Sequence, residues 1–146
     1  MTTATSIHWE PAYVGGRMEK LDVTECLRLL ASTNVGRIGY SVHDEQRIIP
    51  MNYVLTAEHV VLRTSVEHDL GQFVCGRPVA FEVDAVDSFL QSGWSVLISG
   101  VAEELPEATQ RAMKDVDTPQ PWAAGVRALY VRIPLTRVTG RRVHPV

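Results

Sequence analysis

The 146-residue chain reads as a mainly β protein, a small antiparallel barrel of six short strands with peripheral helices. Two observations carry that reading. Downstream of residue 35, apolar residues recur with period two or in short runs, and short polar connections join most of the runs. Alternating βαβ units are absent, which argues against a doubly wound parallel sheet. Short antiparallel strands left open would expose two edges, and closure into a barrel removes that hazard.

Residues 1–20 lack periodicity and are interrupted by Gly15-Gly16, so they read as an N-terminal arm, and the barrel domain takes residues 21–146. Asp22-Val23-Thr24-Glu25 has the spacing of a capping box. Behind it Val23, Cys26, Leu27 and Leu30 fall on one helical face, which predicts a helix over about 22–32. The period then changes to two. Gly36, Ile38, Tyr40 and Val42 alternate with Arg37, Gly39 and Ser41 as a first strand, and His43 to Gln46 make a turn. Arg47 to Thr56 is a second strand, so continuously apolar that burial on both faces is expected; His59 to Thr64 is a third. Val66 to Val74 has room for two helical turns. Val79 to Val83 and Trp94 to Leu105 are the next strands, separated by a polar turn around Asp87 to Ser92. Pro106 to Val116 reads as a helix, with Pro106 in the first turn, where its missing N–H costs nothing. Asp117 to Gly125 is a proline-containing loop, and Ala128 to Val138 is the last strand.

Composition bounds the function. Apolar residues at 45% and charged residues at 21% are ordinary for a globular chain and exclude wholesale disorder. A net charge of −3 gives no reason to expect nucleic-acid or membrane binding, and no apolar run approaches the roughly 18 residues of a spanning helix. Only Cys26 and Cys75 are present, so a disulfide framework is not expected and a reducing cytoplasm is the plain location. The five histidines show no metal-site spacing, so no metal is expected. No nucleophile elbow or Walker loop occurs.

Three segments depart from a plain core. In Pro50-Met51-Asn52-Tyr53, proline within a strand implies an edge or bulge, and Asn52 brings an amide into apolar surroundings. The segment offers carbonyls and an amide to a flat polar heterocycle; a bulge with a capping Asn is the ordinary alternative. Arg63-Thr64-Ser65, at a strand-to-helix junction, combines a guanidinium, two hydroxyls and helix-start amides in a pattern suited to phosphate. An exposed Arg beside a Ser/Thr cap is the alternative, favoured by Glu67 and Asp69. Trp94 opens a strand after a turn, at a barrel rim or subunit contact. Charge is also uneven. Residues 78–110 hold carboxylates and no Lys or Arg, whereas residues 125–146 hold five arginines and no carboxylate; pairing between the two segments is expected, an anion-binding rim being the functional alternative.

Gly36-Arg37-Ile38-Gly39, Pro50 to Tyr53, Leu62-Arg63-Thr64, Pro78 to Asp84, Gly93 to Val96 and Val138 to Arg142, in that order, resemble the pyridoxamine 5′-phosphate oxidase-like family. The resemblance spans about residues 20–143. It implies a homodimer of split β-barrels that binds FMN at the subunit interface, or in some branches FAD, a deazaflavin coenzyme or haem. By similarity Pro50, Met51, Asn52 and Tyr53 lie along the isoalloxazine ring, Arg63, Thr64 and Ser65 hold the phosphate, and Trp94 approaches the cofactor from one subunit or the other. The implied activity is that of a flavin-dependent oxidoreductase acting on a small molecule, the alternative being a non-catalytic flavin- or haem-binding or sensing protein. One position departs from the pattern: Asp69 stands where many relatives have Lys before the Leu, which removes a cation from the phosphate site and leaves open weak binding, another cofactor or none.

Overall fold

The computed structural model describes residues 15–113 and 118–146. Its elements, in chain order, are β1 (Met18–Leu21), α1 (Val23–Ala31), β2 (Val35–Val42), β3 (Glu45–Leu55), β4 (His59–Thr64), α2 (Asp69–Phe73), β5 (Pro78–Asp87), β6 (Ser92–Val101), β7 (Glu103–Glu104), α3 (Glu107–Ala112), β8 (Leu129–Pro134) and β9 (Val138–Val143). The strands lie in the order β1-β9-β6-β5-β2-β3-β4-β8-β7, with every neighbouring pair antiparallel. Only the buried Ala102 separates β6 from β7, yet β6 pairs with β5 and β9 while β7 pairs with β8. The chain therefore bends at Ala102 and crosses from one sheet to the other, which curls the whole into a split barrel. The Ala102 N–H donates to Arg77 O (3.1 Å) before the corner, and the Leu105 N–H donates to Tyr130 O (2.8 Å) after it.

The mainly β barrel is as the sequence predicts, with nine strands among the described residues in place of six. The predicted last strand is two, because the chain turns after Pro134 and passes from β8, paired with β4, to β9, paired with β6. The end of the predicted arm, Met18 to Lys20, belongs to β1 and pairs with β9, while residues 1–14 lie outside the described residues. Both later helices are shorter than predicted, and Pro106 sits at the cap of α3 rather than in its first turn. Burial of β3 on both faces does not occur. Its outer face has no second layer, and Ile48 is 72% exposed.

The core joins α1 to the inner sheet faces. Leu30, Ile38, Phe81, Val83, Val96 and Ile98 are fully buried. Each such side chain stabilises the fold by about 1.5–3 kcal/mol. Bare backbone at Gly140 lets α1 approach, since a Cβ there would stand 2.5 Å from Cys26 Sγ. Gly36 makes the same concession to the Phe81 ring.

The start of α1 shows half of the predicted capping box. Asp22 Oδ1 accepts the Glu25 N–H (2.8 Å), but the Glu25 carboxylate accepts from Arg28 Nε (2.8 Å) and Nη2 (2.7 Å) and from Arg142 Nη2 on β9 (2.7 Å). Of the expected pairing between the acidic and arginine-rich segments, Arg132 to Glu103 (2.9 Å) forms, whereas Glu82 and Asp84 pair with Arg37 of β2. The bonds from Arg28 and Arg142 push the Glu25 carboxyl down from 4.5 to about 2. A carboxyl lowered on folding contributes stability above its unfolded pKa and loses it as pH falls through the folded value. The stability gap between wild type and Glu25→Gln is therefore expected to narrow as pH falls from 4.5 to about 2, measured by urea unfolding across that range.

Candidate functional site

The site forms where β3 and β4 part. β3 pairs with β2 along Glu45–Asn52 but with β4 only through Tyr53, Val54 and Leu55. Were that ladder continued beyond Tyr53↔Leu62, Arg63 would oppose Asn52 and Thr64 would oppose Met51. Instead Arg63 and Thr64 stay with β8, opposite Tyr130 and Leu129. A cleft of about 250 Å³ opens between the diverging strands. The Tyr53 N–H donates to Asn34 O on the β2 side (2.9 Å). By antiparallel alternation residues 50 and 52 turn their backbone groups to the gap, where the missing N–H of Pro50 costs no ladder bond.

Residues 118–128, between α3 and β8, form the second wall through Pro119, Pro121, Trp122, Ala123 and Arg127. Two bonds tie this strap to the barrel. The Trp122 N–H donates to Asn52 Oδ1 (3.1 Å), and Arg63 donates from Nε (3.3 Å) and Nη2 (3.1 Å) to the Arg127 carbonyl. The Arg63 guanidinium also lies 4.8 Å from the centre of the Tyr130 ring.

Two side-chain donors, Asn52 Nδ2 and Arg127 Nε, are buried without a partner, and both residues line this cleft. A buried donor left unpaired costs about 1–3 kcal/mol, so the arrangement is suited to an incoming acceptor. Among the described residues the lining includes Arg63, Arg127 and His68 and no Asp or Glu. These features fit a ligand with acceptor-rich edges and an anionic tail.

Five sequence-predicted residues, Pro50, Met51, Asn52, Arg63 and Thr64, come together in the cleft. Tyr53 does not: it is 2% exposed, its hydroxyl donates to Leu30 O (2.5 Å), and burial pushes its phenol pKa up. Ser65 lies outside the lining and its Oγ accepts the Glu67 N–H (3.2 Å). Trp94 lines a separate hollow with Asp84, Arg141 and Val143. His68, Trp122 and Arg127 join the cleft without having been singled out, because nothing local in sequence ties the strap to β3 and β4.

Of the expected helix-start amides, that of Leu70 is engaged internally. The Leu70 N–H donates to His68 Nδ1 (3.1 Å), and the His68 N–H donates to Ser65 O (3.2 Å). Asp69 is not part of the lining. Its Oδ1 accepts the Tyr40 hydroxyl (2.6 Å), a bond that holds the carboxyl below its ordinary value. A larger hollow of about 590 Å³ lies on the outer sheet face, lined by Glu19 and Glu82 together with Lys20 and Arg141. It mixes charges of both signs and contains neither unpaired donor, so the smaller cleft is the better candidate.

A family model described as pyridoxamine 5′-phosphate oxidase matches residues 22–142. The chain belongs to this family. It is 31% identical over 131 residues to the uncharacterized protein Rv0080 of Mycobacterium tuberculosis, a match covering 85% of this chain and 84% of that one. Among solved structures of the fold, the FAD binding protein from Mycobacterium smegmatis superposes with a TM-score of 0.75 at 33% identity, covering 86% of this chain and 98% of the other. The FAD and heme binding protein from the same organism shares the fold, with a TM-score of 0.66 at 14% identity over 87% of this chain and 75% of the other.

The Asn52 tie makes a prediction about the strap. Asn52→Ala is expected to speed exchange of the Trp122 amide proton by about tenfold or more, as removal of a hydrogen bond worth about 1.5 kcal/mol requires. Asn52→Asp retains the acceptor oxygen and is expected to keep the protection; amide exchange followed by NMR tests both.

Proposed function

We propose that this protein is an oxidoreductase that uses a phosphorylated flavin, FMN or FAD, bound in the cleft between β3 and β4. The observation that carries this reading is that, among the described residues, the buried donors of Asn52 and Arg127 have no partner and the cleft they line holds Arg63, Arg127 and His68 and no carboxylate. The open backbone edge of β3 at residues 50 and 52 and the Asn52 amide suit the hydrogen-bonding edge of a flat ring system. Arg63, Thr64 and Arg127 suit its phosphate tail. The likeness to an FAD binding protein at 33% identity supports the same class of ligand. When bound, a flavin supplies hydride and electron transfer. The side chains of the cleft bind it, orient it and exclude water. Asp69 is itself outside the cleft lining, where it accepts from Tyr40 and lies 3.0 Å from His68 Nδ1.

The absorption spectrum of freshly purified protein, with mass spectrometry of the released ligand, tests the reading. FMN or FAD is the expected ligand, with reduction by NAD(P)H and reoxidation by an acceptor. Release of haem or a deazaflavin, or a colourless protein that takes up no flavin on titration, overturns it. Bound flavin that does not turn over favours a storage or sensing role instead. Arg63→Ala is expected to weaken FMN and FAD binding by about tenfold or more, because a charge-assisted hydrogen bond contributes roughly 1.5–3 kcal/mol. Fluorescence titration measures it.

The working unit in this reading is a homodimer in the cytoplasm, and both thiols are free, as a reducing compartment keeps them. Ile48, Leu97 and Val101, which are 72%, 40% and 46% exposed, occupy the outer sheet face beside Arg37, Glu82 and Asp84. A second copy seated there would cover this apolar surface. Analytical ultracentrifugation is expected to show a dimer for the wild type and a monomer for the double variant Ile48→Lys/Leu97→Lys. A monomeric wild type would remove the dimer from the reading.

A further inference from the structure

We infer that Arg127, on the strap, is an anion-binding residue that holds the ligand's phosphate tail together with Arg63, so that strap and barrel each contribute a cation to the tail. The inference deepens the flavin reading and rests on it for the identity of the ligand, but the anion seat is a property of the chain's own residues.

Arg127 stands immediately before β8 and contributes to the cleft in two separable ways. Its main-chain carbonyl accepts two hydrogen bonds from Arg63. Its side chain lines the cleft with Nε buried and unpaired. The carbonyl thus fixes where the strap meets the barrel, and the guanidinium is left with an Nε donor that meets no acceptor among the described residues. A guanidinium is always charged, and burying part of one without an acceptor is costly, so the position is explained by an acceptor that arrives with the ligand. Among the described residues no carboxylate lines the cleft to serve instead. The acceptor must therefore come from outside the lining, and phosphate oxygens match a guanidinium in geometry and charge.

Arg63 belongs to the same seat. Its Nε and one Nη2 proton are used on the Arg127 carbonyl, which leaves Nη1 for a ligand and pins the two arginines side by side. Thr64, 2% exposed, follows Arg63 in β4 and is also part of the lining. The strap's other tie, the Trp122 N–H on Asn52 Oδ1, orients the Asn52 amide so that its Nδ2 is the second unpaired donor. One ligand reaching both orphans would engage Asn52 of the barrel and Arg127 of the strap at once, coupling ligand binding to strap position.

The geometry provides its own control. Truncating the Arg127 side chain leaves the main-chain carbonyl in place, so Arg127→Ala removes the guanidinium while keeping the Arg63 contact that seats the strap. Wild type, Arg127→Ala and Arg127→Lys are titrated with FAD, FMN and riboflavin by fluorescence, and their melting temperatures are measured with and without inorganic pyrophosphate. Arg127→Ala is expected to weaken FMN and FAD by about tenfold or more, as loss of a charge-assisted hydrogen bond does, and riboflavin by less than about threefold. Arg127→Lys, which keeps the charge without the planar fork, is expected to fall between. Pyrophosphate is expected to raise the melting temperature of the wild type more than that of Arg127→Ala. Equal loss of riboflavin and FMN would reduce Arg127 to a strap-packing role and overturn the inference. So would FMN, FAD and pyrophosphate responses indistinguishable from wild type. A wild type that binds no flavin yet is stabilised by pyrophosphate through Arg127 would refute the flavin reading while upholding the anion seat.

Discussion

The separation of β3 from β4 after the Tyr53–Leu62 pair is the constraint from which the functional architecture follows. Up to that pair the two strands share a ladder. Beyond it β3 continues with β2 and β4 with β8, and neither is available to the other. A sheet that divides in this way creates an interior edge, and an edge inside a protein must be met by something other than water. One part of the answer is covalent, since Pro50 has no N–H to satisfy. A second is the strap of residues 118–128, which lies against the gap. The third is the pair of donors left unanswered on Asn52 and Arg127.

What keeps the strands apart is the packing on either side. Tyr53, at the division, is held from within by its bond to Leu30 O and by edge-on contact with Phe81, whose ring centre is 5.2 Å away. Arg63, one step past the division, is held by the Arg127 carbonyl and the Tyr130 ring. Neighbouring side chains in the two strands thus have opposite duties. Tyr53 stabilises the core, while Arg63 leaves that side and builds the cleft. The Ala102 corner supports both, since it carries the chain from β6 to β7 and so brings β8 to the side of β4.

Electrostatics reinforces the division. The chain carries three more carboxylates than Lys and Arg side chains, yet the cleft is lined by cations. Acidic groups near it in sequence are engaged elsewhere: Asp69 accepts from Tyr40, and Glu67 is not part of the lining. Arginines remote from it are likewise engaged, Arg132 by Glu103, Arg142 by Glu25 and Arg37 by Glu82 and Asp84. These pairs are partly exposed, so solvent screens the stability each contributes. Their effect is to separate the cations that hold strands and helix together from the two that face the cleft.

The amino-acid order alone was enough for the β class, the α1 helix with its Asp22 cap, and the positions of β2, β3 and β4, because these depend on periodicity and capping among near neighbours. It was enough also for five cleft residues, through their order along two adjacent strands. Tyr53 and Asn52 look alike as members of one segment, but alternation sends one inward and leaves the other at the gap. Asp69 reads as a member of the phosphate site, yet it stays outside the cleft lining, bonded to Tyr40, 29 residues away. The strap is the clearest case: Trp122 meets Asn52 across 70 residues and Arg127 meets Arg63 across 64, distances over which no local pattern carries information. The sequence by itself determined which segments become strands and where polar groups interrupt them. Only the tertiary structure decided which of those groups face one another, because that depends on where β3 and β4 cease to pair and on the path of the chain around the Ala102 corner.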